Sequence, residues 1–417
     1  MSELVLTLRQ PAQLGIKSRQ DNVLGTMEHI PGSSVRGAFA AAWLARNGVS
    51  TPGTPGREEF LTLFEGGVRF GALLRPGTEF MSLAVFGHKY DPEPGCRVID
   101  YDRALGEEPP SACPDCGSPI EQLKGLIGDR QAPRRRTSVA IGADGTAIEG
   151  ALFTRETLPP GQVFRGTVTG SDTALAILEE LRQIRVGGRR TTHGLADITI
   201  TPGGGPPLPQ RRDEHTLVVR LRSPGIFTDD HGRPSRDPSE AELTEALGGT
   251  PARVVDRWIR WEQVGGWHVA SGLPKPVELA VAAGSTYIIY TERMVTDSEL
   301  AAFSSRGLGL RRHEGFGDLA PEPVLRPGAD AREKETSRLR GIRNKTAPIV
   351  RLVLGSEDAL ERVRGLMRAH ADGDQRAREL LRREAVSQGD ADVGKAMEVF
   401  LGLPDVDAAH VAEELGR

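Results

Sequence analysis

The chain has 417 residues, beyond the roughly 250–300 at which one hydrophobic core usually stops growing, so we expect two or more domains. Its 50 glycines, 29 prolines and 38% hydrophobic residues predict a loop-rich protein, and the glycines lack the three-residue period of collagen. The formal net charge of −4 excludes capture of nucleic acid through an overall basic field, so an RNA or DNA site must be a local patch.

Targeting and redox signals are few. No window approaches the ~20 uninterrupted apolar residues of a membrane-spanning helix. The N-terminal sequence MSELVLTLRQ carries Glu3 and lacks the apolar region of a signal peptide. We therefore expect a soluble, cytoplasmic protein with no membrane partner. Three cysteines cannot build a disulfide framework, and two of them form a C-x-x-C pair that points toward metal or redox chemistry.

The first half of the chain predicts the order strand, helix, hairpin, helix, strand. Leu4–Leu8 alternates as a strand, and Ser33–Asn47 has the apolar face of a helix. The runs ALFTRET and VFRGTVT flank a turn at Leu158–Gly161, which predicts a hairpin. A second helix over Thr173–Ile184, a basic loop VGGRRTTHG and a strand over Leu195–Ile200 follow. This order is typical of the split βαβ, or ferredoxin-like (RRM-like), fold.

The second half repeats part of this scheme after a linker at Thr201–Arg212, where proline and glycine dominate. Strands are predicted at Thr216–Leu221 and Thr286–Tyr290, with a helix at Asp297–Phe303 and a second basic loop, GLGLRRHEGFG, behind it. Beyond Ala329 the chain becomes charged, and Ser356–Arg417 has helical periodicity.

These elements predict an α+β protein of three parts. We expect a first ferredoxin-like domain at residues 1–200 with a cysteine-containing insertion at 87–128, a second ferredoxin-like domain at 213–328, and a helical C-terminal region at 329–417.

The two basic glycine loops can be aligned. The pair Arg189-Arg190 faces Arg311-Arg312, Gly194 faces Gly315, and Asp197 faces Asp318, with a one-residue difference in length. Glycine turns let backbone N–H groups approach a phosphate while neighbouring arginines neutralise it, although a helix C-cap with solvated arginines is the simpler alternative. A loop histidine can stack on a base or act as an acid or base. The candidate RNA-binding residues of these loops are Arg189, Arg190, His193, Gly194, Arg311, Arg312, His313, Gly315 and Gly317.

Two further stretches have anion-binding character. In HIPGSSVRG, Gly32, Ser33 and Ser34 lie at a predicted helix N-terminus, which attracts anions, although a serine N-cap is the alternative. Before the predicted hairpin, Arg134, Arg135 and Arg136 form a third basic patch, although such runs are usually a solvated face.

The cysteines predict a structural zinc site. Cys113 and Cys116 form the knuckle that holds one side of a tetrahedral zinc ion, and Cys96 and His88 lie upstream as further ligands. A thioredoxin-like redox pair is the alternative, but it lacks a βαβ context and leaves Cys96 unexplained. The carboxylates that could replace His88 are those of Asp91, Asp100 and Asp102.

Catalytic signatures are missing from the sequence. It contains no P-loop, G-x-S-x-G, H-E-x-x-H or Gly-Gly-Asp-Asp polymerase motif. A metal-independent ribonuclease could still use His29, His193 or His313 as the base for a ribose 2′-hydroxyl, and a single histidine does not decide this.

Taken in order, several motifs resemble the RAMP superfamily of CRISPR-associated proteins, and more narrowly the group-five RAMP subunit of type III-D effector complexes. The resemblance covers roughly residues 1–325, and the C-x-x-C insertion is similar as well. The motifs are HIPGSSVRG, EGALFTRETLPPGQVFRG, VGGRRTTHG, Gly265-Gly266-Trp267 followed by Leu273–Pro276, Ala283-Gly284-Ser285 and GLGLRRHEGFG.

The resemblance implies two RAMP domains whose glycine loops lie against their sheets. It also implies a non-catalytic subunit that binds and caps the 5′ tag of the crRNA in an antiviral ribonucleoprotein complex. Its partners there are a large polymerase-like signalling subunit and backbone RAMP subunits. The residues that match the family motifs are Gly32, Ser33, Ser34 and Arg36, then Arg189, Arg190 and Gly194, and then Arg311, Arg312, Gly315 and Gly317.

One departure from the family pattern concerns the first loop, which has Gly194-Leu195-Ala196 where the second has Gly315-Phe316-Gly317. Two other functions stay open at this point. Some RAMP relatives are endoribonucleases that process guide RNA, and a scaffold that touches only protein is the third hypothesis.

Overall fold

A computed structural model describes most of the chain. The described residues are 1–16, 23–89, 96, 100–128, 131–203, 205–268, 273–320, 346, 348–349, 357–371, 374–387, 390–403, 408 and 411–412. They belong to two compact units. The first comprises Met1–Lys89, Asp100–Ala112 and Pro119–Leu325, and the second comprises Tyr90–Ile99, Cys113–Ser118 and Arg326–Arg417.

Helices and strands both contribute, which confirms the α+β class. The helices are α1 Gly32–Asn47, α2 Arg57–Phe64, α3 Asp172–Glu179, α4 Glu240–Ala246, α5 Asp297–Arg306, α6 Glu357–Ala371, α7 Gln375–Ser387 and α8 Ala391–Leu401. The strands are β1 Ser2–Leu8, β2 Gly15–Ile16, β3 Val23–Thr26, β4 Arg69–Phe70, β5 Thr78–Phe80, β6 Val85–His88, β7 Tyr101–Asp102, β8 Ile120–Gln122, β9 Leu126–Gly128, β10 Arg134–Ile141, β11 Ala147–Thr157, β12 Val163–Thr169, β13 Gln183–Arg185, β14 Leu195–Pro202, β15 Gln210–Asp213, β16 Thr216–Arg220, β17 Ala252–Trp258, β18 Trp261–Val264, β19 Trp267–His268, β20 Leu273–Pro274, β21 Glu278–Val281 and β22 Thr286–Thr291.

The sheet of the N-terminal half has the order β13-β14-β1-β12-β4. Strand β1 lies in its centre and pairs antiparallel with β12 and β14, so that Leu6 faces Phe164 on one side and Ile198 on the other. The alternation along β1 turns Leu4, Leu6 and Leu8 to one face, and all three are fully buried. This face forms the first hydrophobic core.

Helix α1 covers that core. Its buried residues Val35, Phe39 and Trp43 are spaced four residues apart, which places them on one stripe of the helix. The indole Nε1 of Trp43 donates to Glu59 Oε1 of α2 at 2.8 Å, so the buried aromatic ring keeps a polar partner. The helix ends at Gly48, whose φ of 85° lies in the left-handed region.

The predicted hairpin at Leu158–Gly161 is wrong. Both strands exist, but β11 pairs with β10 and β3, whereas β12 pairs with β1 and β4 in a different sheet. At the turn, Leu158 exchanges two backbone hydrogen bonds with Ala12, at 2.8 and 3.0 Å. The two prolines that follow have no N–H group to offer a ladder. The chain therefore crosses from one sheet to the next at this point.

Two other boundaries differ from the prediction. Helix α3 ends at Glu179, and Ile184 lies in β13, where it pairs with Ala196 and is buried. The predicted linker is shorter than expected because its first residues belong to β14 and its last to β15.

The sheet of the second half has the order β15-β16-β22-β17. One face carries Leu217, Val219, Tyr287 and Ile289 into a second hydrophobic core, which α4 and α5 also line. Helix α5 begins with a capping box, in which the Thr296 hydroxyl accepts from the Glu299 N–H and the Glu299 carboxylate accepts from the Thr296 N–H.

The opposite face of this sheet is also covered. Val218 and Ile288 pack there against Ala84 and Ala104 of the first half. Beside them, Arg220 donates to the buried carboxylate of Asp102 at 2.6 Å. Removing either partner of such a buried ion pair leaves an uncompensated charge, which is strongly destabilising.

The second unit has its own hydrophobic core in the helices α6 to α8. Val363, Met367, Leu381 and Phe400 are among its fully buried side chains. The charged segment 331–345 lies outside the described residues. Among the helices described here, none combines the length and the apolar character needed to span a membrane.

Candidate functional site

The two glycine loops have the same backbone conformation at their arginines. Arg189 and Arg311 have φ values of 55° and 54°, in the left-handed region that non-glycine residues rarely adopt. Two positions earlier, Gly187 and Gly309 have φ values of 78° and 82°. Equivalent strained positions in two loops support the internal repeat that the sequence predicts.

Backbone hydrogen bonds repeat as well. The Gly188 N–H donates to the Gln13 carbonyl, and the Leu310 N–H donates to the Ile226 carbonyl, both at 2.9 Å. Each loop is therefore fastened at the same point, the first to a segment that follows β1 and the second to a segment that follows β16.

The far ends of the loops correct one part of the alignment. The Val186 N–H donates to the Gly194 carbonyl at 2.9 Å, and the Leu308 N–H donates to the Gly317 carbonyl at 3.0 Å. A Cβ on Gly194 would lie 2.0 Å from the Val186 oxygen, and one on Gly317 would lie 1.6 Å from the Leu308 oxygen. Gly194 therefore corresponds to Gly317 and not to Gly315.

The first loop faces solvent. Arg189 and Arg190 are both exposed, and within the described part of the chain neither forms an ion pair. His193 is partly buried, and its Nδ1 shares a hydrogen bond of 2.8 Å with the Thr192 hydroxyl. Two unpaired guanidinium groups on a rigid turn are well placed for phosphate contacts.

The second loop is tied into the protein. Arg311 donates to the carboxylates of Glu278 and Glu314, and its guanidinium lies 4.8 Å from the centre of the Phe316 ring. Lys275 Nζ donates to Glu314 at 2.7 Å. Burial acts to raise the pKa of Glu314, but the hydrogen bonds from Arg311 and Lys275 outweigh it and lower this pKa to about 2. Arg311 is thus part of a closed ionic network.

The Gly-Ser-Ser motif meets the second loop. A Cβ on Gly32 would lie 2.8 Å from the Cα of Gly315 and 2.1 Å from the Phe70 carbonyl oxygen. Only two glycines allow this approach, so the two motifs, distant in sequence, form one surface. The N-cap of α1 is Pro31, with no side-chain cap hydrogen bond, so Ser33 and Ser34 lie in the first turn and are not the cap.

Arg36, the last residue of that motif, is held internally. Its Nε donates to the Phe64 carbonyl at 2.6 Å, and its second nitrogen pairs with Glu65 at 2.7 Å. The side chain ties α1 to the end of α2.

A cavity of about 230 Å³ opens where the two motifs meet. His29 borders it with its ring edge-on to Phe80 at a centroid distance of 5.0 Å. Burial lowers the pKa of His29 to about 4, which keeps the imidazole neutral near pH 7, and burial raises the pKa of Glu262. Residues that line the cavity include His29, Gly32, Ser33, Glu262, Gly315 and Phe316. No motif in the sequence points to Glu262 as a residue of this cavity.

The arginine run lies on β10. Arg134, Arg135 and Arg136 are all exposed, and alternation places Arg135 on the face opposite to the other two. Arg135 pairs with Glu156 across the ladder at 2.9 Å. The run therefore presents cationic groups on both faces of the four-stranded sheet β10-β11-β3-β2.

The predicted metal ligands come together. One ligand atom from each of His88, Cys96, Cys113 and Cys116 lies within 4.8 Å of the others, and the first three residues are buried. The Cys96 and Cys113 sulfurs are 3.5 Å apart. Two thiolates on one tetrahedral zinc, at Zn–S distances of about 2.3 Å, lie about 3.8 Å from each other. The cluster is close enough to bind one metal ion.

The turn between the cysteines has the shape of a knuckle. The Gly117 N–H donates to the Cys113 carbonyl at 2.9 Å, and Gly117 has a φ of 71°. Of the alternative ligands, Asp102 is engaged by Arg220, Asp100 is buried outside the cluster, and Asp91 lies outside the described residues.

Residues 132–320 match a family model described as CRISPR-associated protein (Cas_Cmr3). The match covers less than half of the chain and includes both glycine loops. It supports the interpretation as a type III CRISPR-associated RAMP protein. A comparison with curated protein sequences gives no match.

Solved structures give weak similarities. A chain of a type III-B Cmr-beta complex bound to cognate target RNA is 11% identical, with a TM-score of 0.41, covering 78% of this chain and 99% of that chain. A chain of the Csm3-Csm4 subcomplex of a type III-A interference complex is 11% identical, with a TM-score of 0.33 and coverages of 78% and 99%. A Cas6-related protein of Pyrococcus furiosus is 9% identical, with a TM-score of 0.31 and coverages of 76% and 97%.

Proposed function

We propose that the chain is an RNA-binding subunit of a type III CRISPR effector complex, which binds and caps the 5′ tag of the crRNA. The observation that carries the proposal is the pair of glycine loops, which share left-handed arginines and backbone hydrogen bonds. The match of residues 132–320 to the Cas_Cmr3 family supports it. So does the sequence resemblance to the group-five subunit of type III-D complexes.

In this function the first loop supplies the primary RNA contacts. Arg189 and Arg190 are exposed and unpaired within the described residues, so RNA binding breaks no ion pair of either side chain. RNA backbone contacts of this kind release counterions and weaken with salt. Because the net charge of the chain is −4, affinity for RNA depends on such local patches.

The proposal is tested by expressing the chain with its genomic neighbours and sequencing RNA that co-purifies with it. Changing Arg189 and Arg190 to Glu removes most of the bound crRNA, because both phosphate contacts become repulsive. A charge-matched control changes Arg376 and Arg383, which are exposed on α7, and keeps full occupancy. Equal crRNA occupancy in both variants would contradict the proposal.

The complex is assembled, in this proposal, with a large polymerase-like signalling subunit and backbone RAMP subunits in the cytoplasm. We also propose that the cluster of His88 and the three cysteines holds a structural zinc ion. Thiolate and imidazole are the ligands that zinc prefers, and the surrounding chain is rich in loops. When bound, the ion would link His88 to the three cysteines, which lie further along the chain.

Zinc binding is checked by measuring the metal content of the purified full chain by mass spectrometry. We expect about one zinc per chain, and a loss of that zinc when Cys113 and Cys116 are changed to Ser. His231, exposed on a loop, provides a control for His88: changing His88 to Ala lowers the zinc content and changing His231 to Ala does not. A wild-type chain without zinc would end this part of the proposal.

The ribonuclease alternative makes a different prediction. It requires a histidine whose removal stops cleavage of repeat RNA, with a 2′,3′-cyclic phosphate as the product. We expect no such product from the purified chain without divalent metal. Its appearance, and its loss on changing His29, His193 or His313 to Ala, would favour the enzyme.

A further inference from the structure

A second cavity, of about 350 Å³, is lined by residues 309–313 of the second glycine loop. Cationic side chains dominate its lining, which includes Arg69, Arg306, Arg311, Arg312 and His313. Arg69 and Arg306 come from parts of the chain in which the sequence shows no RNA-binding motif. Among the described residues, no acidic side chain lines this cavity.

Arg312 is one of the groups around this cavity whose hydrogen-bonding capacity is not fully used. Within the described residues its side chain makes no ion pair, and one terminal guanidinium nitrogen is buried without a hydrogen-bond partner. Burial and the nearby charges of Arg306 and Arg69 lower the pKa of Arg312, while Glu242 and Glu245 partly oppose this. A buried donor without an acceptor is costly for the folded protein.

The other cations around the cavity are only partly satisfied. Arg69 is bound to Asp318 and donates to the Ser305 carbonyl at 2.7 Å, but its Nε is buried without a partner. Arg306 pairs with the exposed Glu245 at 2.9 Å. The nearby acidic groups are also occupied, because Glu242 accepts the Gly309 N–H.

We propose that this cavity binds one phosphate group of the RNA backbone, with Arg312 as its central ligand. The inference rests on the proposed function, whose RNA it places against the second loop. A phosphate satisfies the orphan donors and separates the like charges of Arg69, Arg306 and Arg312. The planar guanidinium fork matches phosphate oxygens in a bidentate manner, and the volume leaves room for the adjoining ribose.

Arg312 and Arg311 are adjacent in sequence, but they differ in their ion pairs within the protein. Arg311 already holds two carboxylates, so it stabilises the loop. Arg312 pairs with no carboxylate among the described residues, so its charge is available to a ligand. A residue that is costly for the free protein and useful for the bound one has the signature of a functional group.

The test uses the full chain and a synthetic single-stranded RNA that carries the repeat-derived 5′ segment. Each phosphodiester of the RNA is replaced in turn by an uncharged methylphosphonate, and the affinity of each RNA is measured. For the wild-type chain we expect one linkage whose replacement weakens binding by roughly tenfold. For R312Q we expect a similar loss with unmodified RNA and no further loss at that linkage.

Control measurements distinguish the loss of a phosphate contact in R312Q from a general loss of positive charge or of folding. R46Q removes the same charge from an exposed arginine that pairs with Glu180 at the far end of α1, and it leaves the pattern unchanged. The salt dependence of binding by R312Q falls by about 0.7 in its logarithmic slope. R312Q does not lower the melting temperature, because it removes a partly buried cation beside other cations.

If wild type and R312Q respond alike at every linkage while both still bind the RNA, the phosphate site is overturned and the proposed function stands. If the wild-type chain binds no RNA, the proposed function fails, and inorganic phosphate becomes the probe. Stabilisation by phosphate that R312Q loses would then assign the cavity to a free phosphate compound. Absence of such stabilisation would overturn the site in this case as well.

Discussion

The two glycine loops share a backbone conformation at their first arginines, but the side chains that surround these arginines differ. In the first, Arg189 and Arg190 are exposed and unpaired among the described residues. In the second, Arg311 is closed into a network with Glu278, Glu314 and Lys275. Two loops with the same backbone conformation can therefore differ in whether their arginines are paired within the protein or available to a ligand. Side chains from other segments decide which arginines of a loop are available to a ligand.

The largest effect on stability is expected at Gly317 and Gly194, the glycines at the ends of the two loops. Changing Gly317 to Ala places a Cβ 1.6 Å from the Leu308 oxygen, at a φ of 67°. We expect a loss of more than ~3 kcal/mol in the free energy of unfolding, measured by urea denaturation. Changing Gly194 to Ala, with its Cβ 2.0 Å from the Val186 oxygen, has a similar effect.

Gly145 is the matched control for these variants. Its φ is 79°, but no atom lies within 4 Å of a Cβ built there. Changing it to Ala costs only the backbone strain, about 1 kcal/mol. Equal losses at all three positions would mean that the close contacts of the loops contribute nothing beyond their φ angles.

The next largest effect on stability is expected at Arg311, and a much smaller one at Arg189. Changing Arg311 to Gln leaves Glu278 and Glu314 without their shared cation, and we expect a loss of about 2–3 kcal/mol in stability. Changing Arg189 to Gln is expected to alter stability by less than about 0.5 kcal/mol, because the side chain is exposed and unpaired among the described residues. Thermal unfolding of both variants checks the comparison, and a reversed order would contradict it.

The ionic network of the second loop is expected to make the stability of the folded chain depend on pH. The pKa of Glu314 is lowered to about 2 in the folded chain, so its ionic network contributes stability that is present above about pH 4.5 and lost as the pH falls toward 2. We expect a loss of about 2 kcal/mol over this range that the E314Q variant does not show. The measurement is the urea midpoint of both proteins at pH 6, 4 and 3. Parallel curves for the two proteins would contradict the network.

The smallest effect comes from His29, beside the cavity where Gly32 meets Gly315. Burial lowers its folded pKa to about 4, below the 6.5 of the free side chain, so the unfolded chain binds the extra proton first. Stability therefore falls as the pH drops from 6.5 toward 4, and we expect H29Q to remove about 1 kcal/mol of that fall between pH 6.5 and 5. Identical pH dependence in both proteins would show that His29 is not held neutral.

Much of the local structure follows from the sequence. The leucines of β1 alternate because one face is buried, and α1 is recognisable from Val35, Phe39 and Trp43 at helical spacing. The C-x-x-C spacing likewise predicts a cluster that the structure assembles with Cys96 and His88. The strand, the helix and the C-x-x-C turn can be predicted because each depends mainly on residues that are close together in sequence.

Other features could not be predicted in this way. The pairing of β11 with β10 instead of β12 depends on which sheet each strand joins, and residue patterns do not record that choice. Arg189 and Arg311 look alike in sequence, and only the folded chain brings Glu278 to one of them. Arg69 and Arg312 line one cavity although they are far apart along the chain.

Binding of the guide RNA by the first glycine loop is tested most directly by crosslinking the chain to its co-purified RNA and identifying the modified peptides by mass spectrometry. We predict that the peptide with Arg189 and Arg190 carries RNA from the 5′ tag of the crRNA. We also predict that R311Q reduces stability without removing that crosslink. RNA attached only to peptides of the C-terminal helices, or no crosslinked RNA, would contradict the claim that the exposed glycine loop holds the guide.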